Sequence, residues 1–121
     1  MLGRGNRKLD GAVTELAEAN ALIFGLSMLG ASPQAEAYWE VERQLDAHPE
    51  QARRKVDRLL THGSPAGRAY AATLLDRIDP AAGRAAWAAM RADPTELVTQ
   101  TGCVRRRTTL GEYAAGELGK R

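Results

Sequence analysis

The chain has 121 residues, 44% of them hydrophobic, 26% charged and 5% aromatic, with a formal net charge of +2 and a pI near 9.0. A chain of this length buries roughly two-thirds of its unfolded surface and needs no disulfide staples, while the lone cysteine, Cys103, excludes an internal disulfide and suits a reducing compartment. Few aromatic, valine and isoleucine side chains argue against a β-sandwich and leave packing to alanine and leucine, and so slight a charge excess does not by itself imply nucleic acid.

Residues 1–9 form a basic N-terminal segment with Arg4, Arg7 and Lys8. A first helix is expected over 10–29, with Leu9, Val13, Leu16, Ala17, Asn20 and Phe24 along one side. It becomes apolar all round from Ala21 to Leu29, which implies burial on more than one side, and Gly30 would end it. The run "ALIFGLSMLG" (21–30) is too short to cross a bilayer. Asp10, Glu15 and Glu18 interrupt what would be the basic n-region of a secretory signal. The expectation is therefore a retained helix in a cytoplasmic protein. The alternative, with "AEA" (35–37) as a cleavage site, makes 1–37 a signal peptide and the protein secreted or periplasmic.

The prolines stand at 33, 49, 65, 80 and 94, separated by 16, 16, 15 and 14 residues. Four follow a good helix cap: Ser32, Ser64, Asp79 and Asp93. Proline fits the first helical position, where its missing N–H would have had no partner, and the preceding Ser or Asp oxygen accepts from the next free amides. His48-Pro49 has a poorer cap. Each proline thus predicts a helix start and the end of the helix before it. Short connections make neighbours antiparallel, so the punctuation predicts a stack of helical hairpins over 10–100. Periodicity agrees: Ala52, Val56, Leu59 and Leu60 share one face of 50–62, and Ala71, Leu74, Leu75 and Ile78 share one face of 65–78. Beyond Pro94, "ELVTQTG" is expected to continue as a short helix to Gly102. Residues 101–109 form a connecting loop in this reading, with Cys103 to Thr109 extended or loop, and Thr109 caps a last helix over 110–118.

Paired, the units make hairpins of 32 (Pro33 to Pro65) and 29 residues (Pro65 to Pro94). In "SPAGRAYAATLL", Arg68, Ala69, Ala71 and Ala72 lead into the pair Leu74-Leu75. Over about residues 33–100 this resembles a HEAT-like α-helical repeat, although Gly67 stands where a β-branched residue usually precedes the arginine. The resemblance implies an all-α fold, a short right-handed solenoid or compact bundle of antiparallel hairpins, and scaffolding or partner binding in place of one chemistry.

Catalytic groups that could converge are few. His48 and His62 flank one predicted helix and lie roughly 20 Å apart at 1.5 Å per residue, so they cannot share a metal. Cys103 is either a small, partly buried side chain or a thiol activated by Arg105, Arg106 and Arg107. Asp76 and Asp79 could pair, but Asp79 is better used as a cap. No zinc spacing, phosphate-cradling glycine run or nucleophile elbow is present. The reading is a chain with no cofactor, no metal and no enzymatic activity.

Charge patterning points to partners. Segment 33–47 is acidic (Glu36, Glu40, Glu42, Asp46, against Arg43), and 49–62 is basic (Arg53, Arg54, Lys55, Arg58). The two are expected to compensate each other along a shared edge. The function expected is a protein-binding module, an adaptor or inhibitor of the immunity type, using Tyr38, Trp39, Glu36, Glu40, Arg43, Arg53, Arg54 and Arg58. Trp87 is expected in the core; Trp39 stays open between core and interface. The alternative is a nucleic-acid-binding stack using 53–58 and Arg105, Arg106 and Arg107, which Arg4, Arg7, Lys8, Lys120 and Arg121 would join if the termini meet. Self-association through the apolar 21–29 helix is a further expectation.

Overall fold

The computed structural model describes residues 6–24, 26–27 and 30–120. Among them the chain runs α1 (Arg7–Ala17), β1 (Leu22–Phe24), β2 (Leu26–Ser27), β3 (Gly30–Ala31), α2 (Pro33–Ala47), α3 (Pro49–His62), α4 (Pro65–Ile78), α5 (Pro80–Met90), β4 (Glu96–Thr101), β5 (Val104–Thr109) and α6 (Leu110–Gly119). Four prolines open helices as expected. Ser32 Oγ, Ser64 Oγ and Asp79 Oδ1 accept from the amides of Ala35, Gly67 and Ala82, whereas His48 gives α3 no side-chain cap.

The helices pack against one another around α4, whose Ala66, Ala69, Tyr70, Ala71, Ala72, Leu74 and Leu75 are buried. Consecutive helices from α2 to α6 touch, and α1 lies against α2, α3 and α4 at once. Trp87 is fully buried as expected, its indole N–H donating to Asp76 Oδ2 at 3.0 Å. Gly83 permits this contact between α4 and α5, since a Cβ there would lie 2.1 Å from Asp76 Oδ1 and 2.7 Å from the Asp76 backbone.

The all-α expectation is corrected by two small sheets. β1, β4 and β5 form a sheet in the order β1-β4-β5, with β1 parallel to β4 and β4 antiparallel to β5; β2 and β3 form a separate antiparallel pair. The helix expected over 10–29 is instead α1, ending at Ala17, followed by strands. The α3–α4 connection meets its end: the Ser64 amide donates to Ala17 O (2.9 Å) and the Ser64 hydroxyl to Ala19 O (2.6 Å). With those carbonyls taken, the chain turns out into β1. The apolar helix proposed for self-association therefore does not form over Leu22–Phe24 and Leu26–Ser27, and positions 25, 28 and 29 lie outside the described residues.

Pro94 opens no helix. Asp93 Oδ1 accepts from the Thr95 amide at 2.9 Å, a turn closed two residues on, and the β-branched residues that follow pair as a hairpin. The helix expected over 94–102 is β4, and Cys103 to Thr109, expected as extended or loop, takes the extended form as β5 from Val104. Gly102, with φ +59°, begins the two-residue turn, the position at which a type II′ hairpin favours glycine. The last helix stands as expected, with Thr109 Oγ1 accepting from the Glu112 amide.

No described helix is long and apolar enough to cross a membrane. Leu9, Ala12 and Leu16 of α1 and Ala35 and Ala37 of α2 are all buried.

Candidate functional site

The residues singled out on α2 divide into inward and outward sets. Tyr38 is 7% exposed. Its ring packs edge-on to Phe24 (centroids 5.1 Å apart) and lies 5.7 Å from Tyr70, because β1 delivers Phe24 into the angle between α2 and α4. Tyr38 thus packs inward, in contrast to the exposed residues of the expected partner-binding set. Burial first, then the Glu42 carboxylate, push its phenol well above the ordinary tyrosine range. Trp39 faces the other way and is 41% exposed. Glu36, Trp39 and Arg43, spaced three and four residues apart, form one exposed stripe on α2. Arg43 pairs with Glu40, which also accepts from Gln44 Nε2 at 2.7 Å. These two bonds, Arg43's first, hold the Glu40 carboxyl below its usual range.

The expected charge compensation between α2 and α3 is not made; among the described residues no ion pair joins them. Arg53 bonds Asp57 (3.2 Å) and Asp79 (3.4 Å), Lys55 reaches Asp10 of α1 (3.1 Å), and Glu42 of α2 pairs with Arg77 of α4 (2.8 Å). α3 packs against α1 and α4 as well as α2, so its cations find carboxylates on those elements first. Arg54 and Arg58 are exposed, with no ion pair among the described residues.

Arg105, Arg106 and Arg107 are all exposed on β5. Arg107 reaches Glu96 at 3.8 Å, and Arg105 Nε donates to the neutral Gln100 Oε1 at 2.8 Å. Arg106, with Thr99, Thr101 and Val104, borders a cavity of about 360 Å³. Arg7 and Lys8 stand elsewhere, lining an open cleft of about 580 Å³ with Arg43, Gln44, His48 and Gln51, and Lys120 pairs with Glu117. Arg4 and Arg121 lie outside the described residues.

The chemistry-bearing residues stay apart. His48 and His62 sit at opposite ends of α3. Asp76 and Asp79 serve different partners: the Trp87 indole, and the cap of α5 with Arg53. Cys103 is exposed at the hairpin turn, not partly buried. Among the described residues no three His, Cys, Asp or Glu side chains gather to hold a metal.

Two polar constellations escaped the sequence reading. The Tyr70 hydroxyl donates to Ile23 O and accepts from the Ile23 amide, both at 2.7 Å, holding the edge of β1 not taken by β4. Burial pushes that phenol up to about 12, against which its bond to Ile23 acts. Arg68 of α4 pairs with Asp93 at 3.2 Å. The Thr95 bonds first and Arg68 next lower the Asp93 carboxyl. Neither arrangement has a local signal, since each joins residues 25 or more positions apart. The hairpin did have one: Val and Thr recurring around a central glycine.

No protein-family model, curated protein or solved structure matches this chain.

Proposed function

We propose that the protein is a non-enzymatic protein-binding module, an adaptor or immunity-type inhibitor, that presents the Glu36–Trp39–Arg43 stripe of α2 to another protein. In this reading the hairpins α2–α3 and α4–α5 act as a HEAT-like scaffold behind the stripe. The observation that carries it is Trp39. The molecule has two tryptophans; one is sealed in the core, while Trp39 stays 41% exposed between an acid and a base on the same helical ridge. Tryptophan is among the residues enriched at binding hot spots, where truncation costs about 2 kcal/mol or more. The test is capture from native lysate by wild-type and Trp39→Ala protein. Trp39→Ala should lose the captured partner by at least about tenfold while melting within a few degrees of wild type. Undiminished capture by the variant would sink the reading.

A nucleic-acid-binding reading is favoured by one observation: β5 holds three consecutive exposed arginines, and Arg54 and Arg58 of α3 make no ion pair among the described residues. It requires duplex affinity that falls steeply with salt. Replacing Arg105, Arg106 and Arg107 together by Gln should then flatten the log–log slope by about three. Indifference to duplex at low salt retires it.

A further inference from the structure

β5 is the outer strand of its sheet: β4 pairs along one side, and among the described residues no strand pairs along the other. The ladder fixes what that open side offers. The register runs Glu96↔Thr109 to Thr101↔Val104, and one step further the Leu110 amide donates to Thr95 O at 2.8 Å. Thr95 and Leu110 are therefore a hydrogen-bonded pair. Because such pairs alternate along an antiparallel ladder, Arg106 turns its backbone towards Thr99, while Arg105 and Arg107 turn their N–H and C=O groups to the open edge. The side chains divide the other way. Arg105 and Arg107 share a face with Gln100 and Val98, and Arg106 shares the opposite face with Thr99. The open edge thus carries two free peptide groups with guanidinium groups above and below it.

We propose that this edge takes an extended acidic segment of a partner protein, which adds to the sheet as a further strand. Main-chain bonds to Arg105 and Arg107 would hold the segment, and carboxylates at alternating positions would meet Arg105 and Arg107 on one face and Arg106 on the other. β5 bears three arginines and no carboxylate; among the described residues the one ion pair its arginines make is Arg107 with Glu96, at 3.8 Å between exposed side chains, while Glu112 of α6 accepts from Thr108 Oγ1. That charge selects the occupant. A second copy pairing β5 to β5 would oppose arginine to arginine, which destabilises a cross-strand pair. Nucleic acid fits less well, because the hairpin has no aromatic side chain for stacking and its cations are split between two faces. The same arginines could serve only to block self-pairing of an edge, and the experiment separates that role from binding. This surface is distinct from the Trp39 stripe, and its test does not depend on it.

The probe is a fluorescent ten-residue peptide alternating Glu with Val or Thr, titrated into the full-length protein at low salt. Its partners are the same peptide N-methylated at every second amide, and a random DNA duplex. Saturable binding of the acidic peptide is expected, weakened at least tenfold by N-methylation and at least tenfold by Arg105→Gln/Arg106→Gln/Arg107→Gln, all exposed positions whose change leaves the fold intact. Hydrogen exchange gives the second readout: bound peptide should slow the Arg105 and Arg107 amides at least tenfold and leave Arg106, already paired to β4, unchanged. Equal binding of the N-methylated peptide, unprotected Arg105 and Arg107 amides, tighter binding of duplex than of peptide, or no peptide binding at all would each overturn the proposal; the last leaves the arginines as edge protection alone.

Discussion

Gly83 of α5 packs directly on Asp76 of α4, and the contact is set by the absence of one methyl group. A Cβ on Gly83 would fall 2.1 Å from Asp76 Oδ1, and two further atoms at 2.7 Å belong to the Asp76 backbone, which cannot swing aside. Gly83→Ala favours the isolated helix by up to about 1 kcal/mol, yet here it should destabilise the protein by about 2–3 kcal/mol, because α5 must shift and loosen the buried Trp87. Urea denaturation of the variant checks this; unchanged stability would mean that α5 does not pack on α4 as described. Neighbouring Trp87 shows that burying an indole also requires a partner for its N–H, supplied by Asp76.

Among the elements, the helix starts permit a direct comparison. His48 and Asp79 hold the N-cap positions of two proline-initiated helices, α3 and α5, with nearly the same backbone, φ −138° and ψ 67° against φ −154° and ψ 83°. Asp79 uses that conformation to accept from the Ala82 amide; the His48 side chain accepts nothing from α3. His48→Asp should therefore install the missing cap and place a negative charge at the positive end of α3, stabilising by about 0.5–1 kcal/mol. The thermal midpoint would rise by about 3 °C. A fall in the midpoint would show that the imidazole has a role in the cleft it shares with Arg43 and Lys8. The strands were harder to see than the helices. β1 is three residues long and is held by β4 and by the Tyr70 hydroxyl, contacts that span 77 and 47 residues. A local apolar run cannot reveal such partners, so Ala21–Leu29 reads as helix.

For the whole molecule, the buried Tyr70 and the half-buried Tyr113 set an alkaline limit. Burial pushes Tyr70 up to about 12, and burial followed by the nearby Glu117 does the same for Tyr113, against an ordinary value of 10.0. Folding holds both phenols neutral. Below pH 10 the folded and unfolded chains bind the same phenolic protons and nothing is lost; above it the unfolded chain ionises first, and stability falls as pH rises towards 12. The urea midpoint should be level up to about pH 10 and then decline, with phenolate absorbance appearing together with unfolding. Phenolate absorbance for all three tyrosines near pH 10 in the native protein would contradict their burial. The starts of α2 to α6 and the caps Ser32, Ser64, Asp79 and Thr109 were legible in the chain alone, because proline at N1, an oxygen cap and a 3.6-residue apolar period are local physics. The parallel pairing of β1 with β4, the end of α1 at Ala17 against Ser64 and the choice of ion-pair partners were decided by tertiary structure. Each depends on which distant backbone or carboxylate arrives alongside, and pairing energies of that kind leave no trace in neighbouring residues.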